Sequence, residues 1–149
     1  MMYLKSCVIA SAMLFGSMSV NVHADMAEDA IQYRQSVFQT YKWHFGAMGA
    51  MVRGKAPYDA AKFKHHAEAL AAVVPLAAEG FVEGSDMGDT AAKDELWENL
   101  TDLNKRFDEL ALAASELAAA SGGDLDAAKA AFGAVGKGCK GCHDNYREK

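Results

Sequence analysis

Proline is scarce in this chain: Pro57 and Pro75 are the only two among 149 residues. Runs of β-branched residues are absent and alanine is abundant, which favours helix over strand. Cysteine is nearly as scarce. Of the three present, Cys7 lies in an N-terminal apolar run, and Cys139 and Cys142 stand together near the C-terminus. No thiol is left for a structural disulfide elsewhere. Basic residues are outnumbered, 15 Lys and Arg against 20 Asp and Glu. With no basic stripe, nucleic acid is excluded as an expected partner. The apolar run from Cys7 to Val20 is short for a membrane span and is broken by Ser and Gly.

That run reads as a leader. Met1–Lys5 supplies one positive charge, the apolar stretch follows, and Val22-His23-Ala24 has the small-x-small pattern of a cleavage site. Every acidic residue lies after it. The expectation is a signal peptide over 1–24, cut between Ala24 and Asp25, with a single domain over 25–149. Lys5 and the early position of Cys7 fit a lipidation signal poorly. Losing Lys5 with the leader takes the formal net charge from −5 to −6. The expected location is the periplasm, with no membrane association after the leader is removed.

The two remaining cysteines carry the chemistry. Cys139-Lys140-Gly141-Cys142-His143 is the attachment pattern of a c-type haem. Each thiol adds to one vinyl group, and one helical turn brings both sulfurs to the same porphyrin edge. His143 then offers an imidazole nitrogen to the iron from one face. The expected cofactor is one haem c per chain, covalent through two thioethers, with His143 as metal ligand. A thioredoxin-like pair would want a βαβ pattern, which is not visible. A zinc site would want a second ligand pair, and His44, His65 and His66 do not form one at regular spacing. These three histidines read as surface or edge residues.

Four stretches have helical periodicity. The first runs from about Met26 to Arg53, with Ile31, Arg34, Phe38, Tyr41, Phe45, Met48 and Val52 facing inward. Gly54 ends it, and Pro57 suits the first turn of the next. The second runs from about Tyr58 to Val74, where Pro75 stops or kinks it. Glu79 to Thr90 is a glycine-bearing loop. The third is expected over about Ala92 to Ala120, with Leu96, Leu100, Leu103, Phe107, Leu110, Ala114 and Leu117 inward. Ser121-Gly122-Gly123 closes it, and Asp124 caps the fourth. There Leu125, Ala128, Phe132, Val135, Cys139, Cys142 and Tyr146 share one stripe, so the cysteines are aimed into the bundle. The expected fold is all-α, an up-down-up-down antiparallel four-helix bundle with covalently attached haem c.

With the haem motif at the C-terminus (continuing Asp144-Asn145-Tyr146-Arg147), Tyr33-Arg34-Gln35-Ser36 and then Phe38 in the first helix, and Lys55-Ala56-Pro57-Tyr58-Asp59-Ala60-Ala61 leading into the second, the chain resembles the cytochromes c′, high-spin class II c-type cytochromes. The resemblance spans essentially residues 25 to 149. That family is itself an example of the up-down-up-down bundle, so the topology follows from the resemblance as well as from the pattern.

The resemblance implies roles residue by residue. Cys139 and Cys142 match the thioether cysteines and His143 the axial ligand. Arg34 matches an arginine beside a haem propionate, and Arg147 one near the exposed proximal histidine, a helical turn beyond His143. Phe38 falls where the family places an apolar residue against the distal iron face. Low-spin relatives use a first-helix methionine as sixth ligand, but Met26, Met48 and Met51 lie at the ends of that helix. Five-coordinate iron is therefore implied, with Phe38 as a lid over a position open to small diatomic gases.

Nitric oxide binds ferrous iron more strongly than carbon monoxide, and carbon monoxide more strongly than dioxygen. The implied function is nitric oxide binding or buffering, with possible electron transfer, rather than enzymatic turnover. The alternative is a one-electron carrier between periplasmic partners, whose identity the sequence does not give. Relatives usually pair through their first two helices. A homodimer is expected, with Val37, Trp43 and Met51 off the inner stripe of the first helix.

Overall fold

The computed structural model describes residues 22–149, with side chains from residue 26 onward. The expected leader lies outside the described residues except for Val22-His23-Ala24, and so does Cys7. Four long helices form the body: α1 (Val22–Val52), α2 (Ala60–Val73), α4 (Leu100–Ala120) and α5 (Leu125–Tyr146). A 3-10 turn, Val74–Gly80, and a short helix α3, Glu95–Glu98, lie between α2 and α4. The fold is the expected all-α four-helix bundle. No described helix is long and apolar enough to cross a membrane.

The caps explain the boundaries. Asp59 precedes α2, and its Oδ1 accepts from Lys62 N at 3.0 Å. Pro57 therefore sits outside the helix and not in its first turn, because the better cap lies two residues further on. Asp124 Oδ1 accepts from the backbone nitrogens of Asp126 and Ala127, both at 2.9 Å, as expected for the start of α5. Pro75 ends α2 and sits in the first turn of the 3-10 segment, where its missing N–H matters little.

The expected third helix is divided. Asn99 leaves helical geometry at φ −126°, ψ 35°. Its side-chain amide donates to the Glu95 carbonyl at 2.8 Å, while its own N–H turns to Leu96 O at 3.0 Å. The side chain thus takes the acceptor that the continuing helix would use. The break changes the phase of the stripe: Leu96 stays buried, whereas Leu100 is 39% exposed rather than inward. Before α3, Ala92 is extended and forms an isolated antiparallel bridge with Arg147.

Met48, Phe63, Ala67, Leu103, Ala114 and Leu117 are buried at the centre of one continuous core. Val37 and Met51 join that core and are not free surface for a partner; α1 turns them toward its neighbours within the chain. Trp43, by contrast, is 72% exposed. Helix α1 packs on α2 and the 3-10 turn, α2 on α4, and α4 on α5, while α1 and α5 make the loosest of the four seams between neighbouring long helices. That wider seam carries the site.

Candidate functional site

The α1–α5 seam is pinned at one level by Phe45 and Phe132, whose rings stack at 4.1 Å with planes 9° apart. The helices run antiparallel. One turn back along α1 from Phe45 therefore meets a point one turn beyond its contacts on α5, which span Phe132 and Gly136, given a rise of about 1.5 Å per residue. Tyr41 comes beside Cys139, whose thiol is close enough to act on the phenol electrostatically. By the same count Phe38 falls at the level of the Cys139–Cys142 pair. Both cysteines are partly buried against the core, on one stripe of α5 with Val135 and Tyr146.

Burial pushes both thiols above the ordinary cysteine range, with the Arg106 guanidinium opposing that rise at Cys142. A thioredoxin-like thiol is lowered instead. His143 is exposed for the most part. Partial desolvation, then the nearby positive charge of Arg147, pull its pKa below the usual histidine value, and Asp144 opposes them. A neutral imidazole is the form that ligates metal.

Arg147 is not on the helix. It is extended (φ −121°, ψ 134°) just after the end of α5. The strand-like pairing takes it there: Lys93 N donates to Tyr146 O at 3.0 Å and Glu148 N to Ala91 O at 2.8 Å. The side chain still acts on His143, but from the tail and not from the next helical turn.

Arg34 is 2% exposed. Its Nη1 donates to Gly80 O at 2.8 Å and Ser85 Oγ at 2.7 Å, and its Nη2 to Ser85 O at 2.7 Å and Thr90 Oγ1 at 2.8 Å. Nε makes none of these bonds. No carboxylate of the described residues pairs with this cation, and burial lowers its pKa. Its guanidinium carbon lies 4.8 Å from the Phe81 ring centre and 5.5 Å from that of Trp97.

Phe81 touches Phe38, Trp97 and Phe107 with ring centres 6.3, 5.9 and 5.8 Å apart. Phe38 also meets Tyr41 edge-to-face at 5.4 Å. The Tyr41 hydroxyl donates to Val74 O, and burial raises its pKa. Trp97 Nε1 is buried without a hydrogen-bond partner.

Sequence reasoning missed Gly80, Ser85 and Thr90, because loop acceptors have no periodicity; a buried arginine was the signal that acceptors had to exist. It also missed a network at the end of α5. Tyr146 Oη donates to Asp102 Oδ2 at 2.6 Å, and Arg106 Nε donates to the same oxygen at 2.6 Å. The i,i+4 spacing of Asp102 and Arg106 was the legible part.

These features fit a covalent porphyrin with acidic edge groups. Two thiols sit on one helical stripe beside the widest seam, an imidazole follows directly, and aromatic side chains line the opposite wall. An uncompensated buried guanidinium and an unpaired indole N–H lie close together, matching the need of a carboxylate for donors.

A sequence model of the family described as Cytochrome C' matches residues 29–147. The chain belongs to the cytochrome c′ family. It is 42% identical over 125 residues to the cytochrome c′ of Alcaligenes xylosoxydans xylosoxydans, covering 82% of this chain and 95% of that protein. Among solved structures, cytochrome c prime from Shewanella frigidimarina superposes with a TM-score of 0.80 at 42% identity, covering 83% of this chain and 97% of that one. A nitric oxide complex of a variant of cytochrome c prime from Alcaligenes xylosoxidans superposes with a TM-score of 0.76 at 40% identity, covering 83% and 96%. As in other cytochromes c′, the cofactor is covalent haem c, and Cys139 and Cys142 belong to its attachment motif.

Proposed function

We propose that this cytochrome c′ binds nitric oxide, and more weakly carbon monoxide, in the periplasm, acting by reversible binding and not by turnover. A ferrous haem held by one axial ligand supplies an open coordination position for a neutral diatomic gas. The observation that carries the reading is the wall facing the cysteine stripe. At the level of the Cys139–Cys142 pair it presents Phe38, a side chain that cannot ligate. Met26 is 61% exposed at the start of the described side chains, Met48 is wholly buried in the core, and Met51 is at the far end of α1. His44 and His66 face each other across the α1–α2 seam. His143 is then the axial ligand, and Cys139 and Cys142 form the thioethers.

Phe38 acts as a lid. To uncover the distal face it must leave its edge-to-face contacts with Tyr41 and Phe81, each contributing about 0.5–1.5 kcal/mol. Phe81 is itself held by Trp97, Phe107 and the Arg34 guanidinium, so the lid rests on a fixed support. Arg34 orders the loop with four N–H bonds and keeps Nε for a propionate. Arg147 bears on the proximal side by holding positive charge beside His143. A homodimer through the outer faces of α1 and α2, with Trp43 exposed there, belongs to the same reading.

The test is gas titration of the reduced holoprotein, followed by absorption. Saturable spectral change with nitric oxide at lower concentration than with carbon monoxide supports the proposal. A spectrum that neither gas alters would favour a pure electron carrier instead.

A further inference from the structure

His44 on α1 and His66 on α2 meet across the seam opposite the haem motif, with Nδ1 atoms 3.0 Å apart. Their ring centres are 5.2 Å apart, and the His65 ring lies 6.3 Å from that of His44 and 5.5 Å from that of His66. As it stands the close pair is a hydrogen bond, one ring donating and the other accepting. The core does not need it: both rings are half-buried at the edge of the seam.

The geometry points to a second metal site, in which His44 Nδ1 and His66 Nδ1 bind one divalent late transition cation, Cu2+ foremost. Imidazole nitrogens bond such ions at about 2.0–2.1 Å, so two nitrogens 3.0 Å apart subtend about 95° at the metal. That is a cis pair of a square-planar or tetragonal site, the geometry of Cu2+ and Ni2+, and is tighter than the tetrahedral angle that Zn2+ prefers. Cu2+ heads the affinity order for nitrogen sites.

No covalent change is needed. The donating ring moves its proton from Nδ1 to Nε2, and the metal takes the place of the shared hydrogen with no net proton release. Desolvation, and then the proximity of the other rings, lower the pKa of both histidines, which keeps them neutral and able to ligate. Among the described residues no three His, Cys, Asp or Glu side chains gather about one point. Water would therefore complete the coordination. Within the single chain a surface groove lined by Ala47, Ala50, Met51 and Asp59 runs up to His66 and gives the ion access.

The experiment adds one equivalent of Cu2+ per chain to the ferric, haem-loaded protein at neutral pH and records the copper electron paramagnetic resonance signal. A tetragonal signal split by two nitrogen nuclei is expected. His44→Gln and His66→Gln should each weaken copper binding at least tenfold, while His65→Gln leaves it within about twofold. The haem absorption spectrum of all three variants checks that each is folded. Binding that is absent, that survives both His44→Gln and His66→Gln, or that falls equally in His65→Gln would overturn the site.

Discussion

Arg34 grips Ser85 twice, through Nη1 to the hydroxyl at 2.7 Å and through Nη2 to the carbonyl at 2.7 Å. One side chain of α1 thereby fixes the irregular segment that carries Phe81 against the aromatic wall. Replacing Arg34 by Met keeps the stem but strands the Ser85 and Gly80 carbonyls. A buried acceptor left without a donor costs about 1–3 kcal/mol, so unfolding of the holoprotein by denaturant should lose about 2–4 kcal/mol. Amide exchange over residues 81–90 should rise with it. Arg34→Lys should recover little, because an ammonium cannot reproduce the fork.

Gly80 is required by the same contact. A Cβ there would lie 2.6 Å from Arg34 Cβ and 3.0 Å from the Ala30 carbonyl oxygen, and neither atom is the end of a flexible chain. Gly80→Ala should destabilise by about 1–3 kcal/mol through overpacking. Gly133, inside α5, meets nothing within 4 Å when a Cβ is added. Gly133→Ala should stabilise by up to about 1 kcal/mol through helix propensity. Thermal unfolding of the pair checks both directions.

Phe38→Ala should open the distal face. Carbon monoxide association, followed by flash photolysis of the reduced protein, should speed up roughly tenfold, the equivalent of about 1.4 kcal/mol of barrier. An unchanged rate removes the lid from the account.

Asp102 gives a pH signature. The hydrogen bond from Tyr146, then that from Arg106, hold its carboxyl below the usual range. Its contribution to stability is complete above the unfolded carboxylate value of about 3.9 and is lost as pH falls through the lower folded value. The stability difference between the native protein and Asp102→Asn should therefore shrink steadily below about pH 4. Tyr146→Phe should show a smaller pH-dependent difference. Denaturant midpoints across that range measure it, and a difference that grows on acidification would contradict the assignment.

The long helices were legible because their apolar residues recur at three and four and their ends carry chemical signals: Asp124 before α5, Pro75 after α2. Cys139, Cys142 and His143 were legible as local chemistry. Asn99 was not, since an amide that turns on its own helix looks in sequence like any polar surface residue. Val37 and Met51 lie off the single apolar stripe yet are buried, because α1 has neighbours on more than one side, which widens its buried face. Nothing local announces the bridge to Ala92, a partner 55 residues away, that takes Arg147 off the helix. The Arg34 acceptors belong to a loop whose conformation that arginine itself imposes.

The most direct test of the central claim, one axial protein ligand from His143 and a face free of donors, is the absorption spectrum of the chemically reduced protein without added gas. The account predicts the broad visible band of five-coordinate high-spin ferrous haem. The sharp, split visible bands of six-coordinate low-spin haem would contradict it.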